Sequence, residues 1–293
     1  MIINFGSINI DHVYRVTSLP KPGETLAAQY YAKFLGGKGV NQSIAIAKAG
    51  GEVVHVGAVG EDGSWALAEV KRLGVNTEAV SMLDCATGHA IIFVDDDAEN
   101  QIVIEGGANQ QLRKYAIDHA LSQANPKADW VLLQNETNLA DYIVNEACRR
   151  GLRIAYAAAP FVAETTCSLL PNIQLLVVNE GEARSLAHAL GVEETAIPVP
   201  ELLITRGTAG AELVIDGRSY QQSAFQVDAV DTTGAGDTFT GSFLARYSRG
   251  DSVESALEYA SAASALQVMR AGAALAIPET LEVQKILQSK TIS

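Results

Sequence analysis

Asp231-Thr232-Thr233-Gly234-Ala235-Gly236-Asp237-Thr238-Phe239 runs into an apolar helical stretch. Gly234 and Gly236 can reach backbone angles closed to residues with a side chain. A chain turning there into a helix aims several N–H groups at one point. The first amides of a helix have no internal acceptor, and the helix dipole adds positive charge, so that point attracts anions. Asp237 falls in the same first turn. A carboxylate beside an anion hole suits a site that also takes a proton from an attacking hydroxyl. The local chemistry is then phosphoryl transfer, with amides for the phosphate and Asp237 as base. The alternative is an ordinary helix cap, where Asp and Thr are common.

Around this turn, short apolar runs alternate with amphipathic ones. Residues 2–5, 53–59, 130–133, 153–157, 175–178, 202–205 and 213–215 predict strands. Residues 38–49, 64–73, 113–123, 139–150, 180–189, 237–248 and 253–270 predict helices, and 281–288 a polar-rich last one. Continuous apolar strands separated by helices indicate an α/β fold with a mostly parallel sheet covered on both faces. Two segments break the rhythm. Residues 13–35 carry Pro20, Pro22 and Gly23, then an alternating run through Tyr30, Tyr31 and Phe34; residues 89–104 are β-branched and aromatic around an acidic turn at 95–100. Both predict strands of a second, small sheet outside the main one.

The 293 residues are ample for a sizeable core, and 48% hydrophobic with 19% charged residues describes a globular chain. No stretch reaches the ~20 apolar residues that cross a bilayer, and Met1-Ile2-Ile3-Asn4-Phe5 reads as a strand rather than a secretion signal. Cys85, Cys148 and Cys167 are odd in number, widely spaced and without C-x-x-C. They argue against a disulfide framework or zinc, and for a reducing cytoplasm. A net charge of −13 disfavours nucleic-acid and membrane partners. It does not disfavour ATP, which meets local amides.

Other positions have the chemistry of a site. Asn9 and Asp11 follow the first strand at its carboxyl end, where ligands of open α/β sheets gather. They suit sugar hydroxyls, or simply a turn. Gly36-Gly37-Lys38-Gly39 precedes a helix but has neither Walker A nor dinucleotide spacing. Its glycines permit close approach to a ligand, and Lys38 is either a ligand cation or a solvated charge. Asn179 and Glu182, three apart at a helix start, suit Mg²⁺ held mostly through water, or a capping box. Thr205 and the glycines Gly207 and Gly210 end a strand in a way suited to passing under a nucleotide, with Arg206 beside them.

Gly6-Ser7-Ile8-Asn9-Ile10-Asp11, Gly36-Gly37-Lys38-Gly39-Val40-Asn41-Gln42, Asn179-Glu180-Gly181-Glu182, Thr205-Arg206-Gly207-Thr208-Ala209-Gly210 and the 231–237 turn resemble, in order, the motifs of the ribokinase-like (PfkB) carbohydrate kinases. The resemblance spans nearly the whole chain. It implies one three-layer α/β/α domain over residues 1–293, with a mostly parallel central sheet and lid segments at about 12–37 and 86–107 forming a small β-sheet. The implied activity is ATP-dependent phosphorylation of the 5-hydroxyl of D-ribose. Asp237 would be the base, and the amides of Gly234, Ala235 and Gly236 the anion hole. Asn9, Asp11, Gly37, Lys38, Asn41, Glu136 and Asp237 would bind the sugar. Asn179, Thr205, Arg206, Gly207, Gly210 and Gly236 would bind the nucleotide, and Glu182 would hold Mg²⁺ through water. K⁺ would lie among Asp231, the Thr233 carbonyl and carbonyls of Gln267, Arg270, Gly272 and Ala276. The chain would form a cytoplasmic homodimer through its lids.

Three departures from the family pattern stand out. Ala276 replaces a serine ligand of the cation, Tyr156-Ala157-Ala158-Ala159-Pro160 replaces an N-P-A-P run, and His89 stands where a small apolar residue is expected. Other acceptors remain open: fructose, a phosphorylated hexose, or a nucleoside stacked on Tyr30, Tyr31, Phe34 or Phe93. A phosphosugar needs further cations, and Lys38 alone is evident. A non-catalytic sugar sensor is the alternative of another class, but Asp237 and both neighbouring glycines are present. No strand–G-x-G-x-x-G–helix unit supports a dehydrogenase.

Overall fold

Strand β1 (Ile2–Phe5) is buried at every position and divides its side chains between two cores. Ile2 packs into one, Ile3 and Phe5 into the other, as the two-residue pleat requires. Trp130 and Leu132 of a later strand join the first core, Val131 and Leu133 the second. The main sheet is therefore covered on both faces, which explains why its central strands read as unbroken apolar runs. The computed structural model describes residues 1–97 and 99–289; Ala98 of the acidic turn and residues 290–293 lie outside them.

After β1 come β2 (Asn9–Arg15), β3 (Tyr30–Gly36), α1 (Lys38–Lys48), β4 (Val53–Gly60), α2 (Ser64–Arg72), β5 (Val80–Leu83), β6 (Gly88–Val94) and β7 (Asn100–Glu105). Then follow α3 (Lys114–Ser122), β8 (Trp130–Gln134), α4 (Ala140–Arg149), β9 (Arg153–Ala157), α5 (Ala163–Leu169), β10 (Leu175–Asn179) and α6 (Glu180–Leu190). The chain closes with β11 (Glu201–Thr205), β12 (Ala211–Ile215), β13 (Arg218–Gln222), α7 (Ala235–Ser248), α8 (Val253–Val268) and α9 (Thr280–Ser289). The main sheet has the order β13-β12-β11-β10-β9-β8-β1-β4-β5. It is parallel from β11 to β5, with β12 and β13 added antiparallel at one edge. Residues of α1, α7 and α8 such as Ile44, Phe243 and Ala260 fill one core; Ile117, Ile143 and Leu186 of α3, α4 and α6 fill the other. This is a three-layer α/β/α fold. No helix among the described residues is long and apolar enough to cross a membrane.

The second sheet has the order β3-β2-β6-β7. Its strand β2 begins at Asn9, four residues before the expected 13, so the chain leaves the main sheet and enters the small one within three residues of β1. Register assigns the two faces of this sheet. Asp11 lies opposite Phe34 and Ala90, and Ile92 and Ile104 follow on the same face. Tyr14 lies opposite Tyr31 and Phe93 on the reverse face, where its ring packs 4.8 Å and 5.7 Å from theirs. Tyr31 and Phe93 therefore do not share a face with Asp11, which removes them as a stacking wall beside it. Tyr30 and Phe34 do share that face. His89 also lies on the reverse face, opposite Ile10, and its Nδ1 is 3.1 Å from the Thr87 carbonyl.

β5, β13 and α5 escaped the sequence reading for identifiable reasons. β5 has only four residues and no fully buried one. β13, Arg-Ser-Tyr-Gln-Gln, is a polar edge strand, and α5 is a two-turn helix of seven residues. None has the periodicity that a longer buried element shows.

Candidate active site

The carboxyl ends of the parallel strands gather the polar residues. β1 leads into Gly6 and Ser7, β8 ends at Gln134 two residues before Glu136, β10 ends at Asn179 and β11 at Thr205. The turn after β1 and the start of α1 lie in direct contact through Gly6 and Gly39: a Cβ on either would fall on the backbone of the other. Ser7 locks this junction. Its carbonyl accepts the Val40 N–H at 2.9 Å and its Oγ accepts the Gly39 N–H at 3.2 Å. The Ser7 hydroxyl donates in turn to Glu136 Oε2, which also accepts the Lys38 N–H at 2.9 Å. Glu136, expected to bind the sugar, thus caps the amino end of α1 with one of its oxygens.

Asn9 was expected both to donate and to accept. Its Oδ1 accepts from Asn109 Nδ2 at 2.7 Å, and the Asn109 Oδ1 accepts the Ile8 N–H at 3.0 Å. Its acceptor is therefore engaged by the protein. Asp11 sits against Gly36, where any Cβ would meet its carboxylate. Burial first, and the Glu136 charge second, push the Asp11 carboxyl up to about 6. Gly37, at φ 104°, brings the backbone round into α1, and a Cβ there would press on Ser7 and Asn9 at 3.0 Å.

Asp237 stands in the first turn of α7, behind Gly234 at φ 78°. Its Oδ2 accepts from Asn41 Nδ2 at 3.1 Å and its Oδ1 from Gln42 Nε2 at 2.9 Å. These donors reach it because α1 and α7 cross closely at Gly241, where a Cβ would lie 2.5 Å from the Gln42 carbonyl. Gln42 Oε1 accepts from Gln134 Nε2 at 2.7 Å, and Gln134 Nε2 also donates to Asn4 Oδ1 at 3.0 Å. Asn4 donates to Ser43 Oγ, and Ser43 pairs with His55 Nδ1, both at 2.8 Å. His55 is fully buried, and burial lowers its pKa to about 4, so it is neutral. Burial also raises the Asp237 carboxyl, and Glu136 adds to this; Lys38 and the amides of Gln42 and Asn41 oppose it. The carboxylate is a stronger base than a free one and is held in one orientation.

The 231–237 turn engages two of the amides expected to bind an anion. Asp231 Oδ1 accepts the Thr233 N–H at 2.9 Å and the Thr232 carbonyl accepts the Ala235 N–H at 3.2 Å. Ala235 thus drops out as a free donor. A Cβ on Gly236 would meet nothing within 4 Å, so the space on that side of the residue is open. Beside it lies an apolar cleft lined by Gly207, Thr208, Gly210, Val227, Thr232 and Ala235, with Phe239 and Ala265 at its base. The predicted nucleotide loop and the anion turn thus line one cleft. A second depression, at Met1, Gly50 and Arg249, opens at the amino end of β1, the edge where ligands of such sheets do not gather.

Several expected contacts are otherwise engaged. Arg206 does not point into the cleft: its guanidinium meets Glu212 at 2.9 Å, Glu180 at 3.3 Å and Glu194 at 3.5 Å. Gly210, at φ 106°, packs against the backbone of Gln222, which leaves no room for a Cβ. Asn179 and Glu182 form the capping box: Glu182 N–H donates to Asn179 Oδ1 at 2.9 Å and Asn179 N–H to Glu182 Oε2 at 2.7 Å. Burial raises the Glu182 carboxyl against the opposing effects of the Asn179 N–H and Lys38. One carboxylate at this position is compatible with a water-held Mg²⁺, and no group of three or more His, Cys, Asp or Glu among the described residues offers a direct cage.

The monovalent-cation expectation needs a correction. The Thr233 and Gly272 carbonyls do converge, beside the two N–H groups that Asp231 holds, but the side-chain amide of Gln267 lies between the carbonyls, 2.6 Å from Thr233 O and 3.1 Å from Gly272 O. Gln267's own carbonyl accepts the Arg270 N–H at 3.0 Å, the Arg270 guanidinium pairs with Glu282, and Ala276 has no hydroxyl. The residues present do not fit a cation.

Comparison with known proteins agrees with this geometry. The model of the pfkB family carbohydrate kinases matches residues 1–280. A ribokinase of Haemophilus influenzae is 32% identical, with 97% of each chain covered, and a deoxyribokinase of Salmonella typhimurium is 29% identical, covering 96% of this chain and 97% of its own. The structure of Arabidopsis thaliana ribokinase complexed with ribose and ATP superposes with a TM-score of 0.85 at 30% identity, covering 98% of this chain and 97% of that one. The three-layer fold with its second small sheet and the match over residues 1–280 lead to one assignment: the chain belongs to the pfkB family of carbohydrate kinases.

Proposed function

We propose that this enzyme transfers the γ-phosphoryl group of ATP to the 5-hydroxyl of D-ribose. The observation that carries this reading is Asp237, held by Asn41 and Gln42 at the mouth of the open Gly236 turn. The hydroxyl oxygen attacks the γ-phosphorus in line as Asp237 accepts its proton; ADP leaves. The amides of Gly234 and Gly236 face the transferring group, and Lys38, whose charge already acts on Asp237 and Glu182, lies between sugar and phosphate. In phosphoryl transfer the protein contributes mainly positioning and charge stabilisation. Glu182 would hold Mg²⁺ through water; the ion neutralises phosphate charge. Asp11 and the Asn9 amide would receive the sugar hydroxyls, the lid closing over them and keeping water from the phosphate.

The acceptor rests on the sugar side: buried Asp11 and Asn9, and few cations, favour a free sugar over a phosphorylated one. Tyr30 and Phe34 on the Asp11 face keep a nucleoside as the second reading. The deciding experiment measures ATP consumption with ribose, 2-deoxyribose, fructose, nucleosides and sugar phosphates. Ribose should give the highest kcat/KM; a nucleoside winning the screen would replace this acceptor while leaving the kinase chemistry.

The lids are proposed to pair across a two-fold axis. Phe34, Ile102 and Ile104, on the Asp11 face, are 44%, 51% and 58% exposed. A four-stranded sheet leaving such residues open is completed by the same sheet of a second copy.

A further inference from the structure

Gln267 is fully buried near the end of α8, and its side-chain amide hydrogen-bonds to the Thr233 and Gly272 carbonyls. Its surroundings are oxygen-rich. Asp231 ties the turn to the loop after α8: its Oδ1 accepts the Thr233 N–H and its Oδ2 the Gly272 N–H, both at 2.9 Å. That fold-back points the Thr233 and Gly272 carbonyls at one place. Two carbonyl oxygens aimed at one place repel unless something positive stands between them. Nature offers two remedies, a desolvated monovalent cation or N–H donors. Here the Gln267 NH₂ uses both of its hydrogens, one on each carbonyl, at 2.6 and 3.1 Å. Its Oε1 is buried and finds no hydrogen-bond partner in the protein. The reverse amide orientation would place a third oxygen against the two carbonyls. Ala276 adds no hydroxyl that a cation could use.

We propose that the Gln267 side-chain amide takes the place of a monovalent cation beneath the anion turn, so that this kinase holds the 233–236 segment in its phosphate-binding form without K⁺. The inference rests on the kinase reading for its activity arm, but the geometry stands apart from it. Gln267 is a positioning residue: it touches the Thr233 carbonyl, one residue before Gly234, and not the reacting atoms.

The test compares the intact enzyme in K⁺ and in tetramethylammonium at constant ionic strength. Wild type should show the same kcat in both salts and the same Tm. Gln267→Ala removes the amide and opens its space to an ion. Its kcat should fall in tetramethylammonium and recover in K⁺, by about 5-fold or more, the size of an ordinary coupling between two sites; its Tm should rise with K⁺ alone. A purely structural glutamine would lower stability without conferring rescue by K⁺. The proposal is overturned if K⁺ activates the wild type several-fold, if K⁺ raises the wild-type Tm, or if Gln267→Ala is as indifferent to K⁺ as the wild type. Should the variant not fold, the two wild-type measurements still decide. Should no acceptor be phosphorylated in either salt, the kinase reading fails, and the Tm pair continues to test Gln267.

Discussion

Gln42 donates from Nε2 to Asp237 Oδ1 at 2.9 Å across 195 positions of sequence. This bond joins the glycine-rich start of α1 to the proposed base, Asp237, at the start of α7. Behind it, Gln134, Asn4, Ser43 and His55 continue the chain into the main sheet. Asp237 is thereby tied to buried polar residues of α1 and the main sheet. Asp237→Asn should keep substrate binding and lose about 10²–10⁴-fold in kcat, the usual contribution of a general base. Gln42→Ala leaves the carboxyl held by Asn41 alone, with its other oxygen unpaired at about 1–3 kcal/mol. Its kcat should fall less than that of Asp237→Asn, with ATP KM unchanged. Steady-state kinetics of both variants check the order; a Gln42→Ala enzyme with wild-type kcat would remove the positioning role.

Gly236 separates catalytic obstruction from misfolding. No atom lies within 4 Å of a Cβ built there, and its backbone is not in the left-handed region. Gly236→Ala should therefore leave Tm within a few degrees of wild type, because the helix start tolerates alanine. The methyl would stand where the transferring phosphoryl group belongs, so kcat/KM for ATP should drop. Gly234→Ala is the contrast: at φ 78° it forces an alanine into the left-handed region, at about 1–2 kcal/mol, and Tm should fall as well. Paired thermal melts and ATP titrations check this. A fully active Gly236→Ala would show that the phosphate does not sit at this turn.

Gly241 tests how the helices carry the site. A side chain there presses on the Gln42 carbonyl and on Ala45 Cβ, 2.5 and 2.7 Å from the added carbon. Gly241→Val should force α1 and α7 apart, at about 1–3 kcal/mol of overpacking. It should also draw Gln42 from Asp237, one turn away, so kcat should fall along with Tm. Retention of full kcat at reduced Tm would mean that the Gln42–Asp237 bond survives the strain or does not matter.

The Asp11 carboxyl, raised to about 6 by burial and by Glu136, gives a pH prediction. Sugar hydroxyls donate to a carboxylate but less readily to a protonated acid, so ribose KM should rise as pH falls through about 6. The stability effect has the opposite sense. An unfolded Asp titrates near 3.9, so between that value and 6 the folded chain binds the extra proton. Above pH 6 the buried charge costs stability, and that cost disappears as pH falls through the window. Asp11→Asn should therefore raise stability at pH 8, by about 1–3 kcal/mol, and give no gain near pH 4, while weakening ribose binding throughout. Denaturant melts at the two pH values check the sign. His55, lowered to about 4 by burial, acts the other way: its contribution is lost as pH falls from about 6.5 through 4.

The parallel core was legible because strands such as Trp-Val-Leu-Leu and Leu-Leu-Val-Val are apolar on both faces, and the start of α7 because two glycines and an acid precede an apolar helical run; an ordinary cap has the same residues. The chain of polar residues behind Asp237 was not read, though it left a trace: Asn4, His55 and Gln134 interrupt apolar strands, where a polar residue must be buried and partnered. Side-chain destinations were the harder part. Spacing put Arg206 beside a nucleotide loop, but not next to the three carboxylates, from distant elements, that hold it. Likewise the sequence pattern offered Gln267 as a backbone carbonyl and could not show that its amide turns back onto the turn. The cleft wall from 224 to 229 alternates apolar and polar residues over too short a run to mark it, and forms no strand.

The exposed apolar face of the lid leads to the last prediction. Ile102 and Ile104 lie on β7 at the edge of the small sheet, on the same face as Asp11, with Phe34 two strands beyond β6 on β3. If a second lid covers this face, a charge at its centre is buried without a partner on dimerisation, twice per two-fold contact. Ile104→Asp should then convert a dimer into a monomer in light scattering at micromolar concentration. Its effect on the monomer fold should be small, because Ile104 is already more than half exposed and surface changes cost little. Ribose KM should rise with dissociation, since the face that loses its cover also bears Asp11, while the KM for ATP, bound on the far side of Asp237, should stay near wild type. A wild-type monomer with full activity, or an Ile104→Asp variant that stays dimeric, would set the lid contact aside.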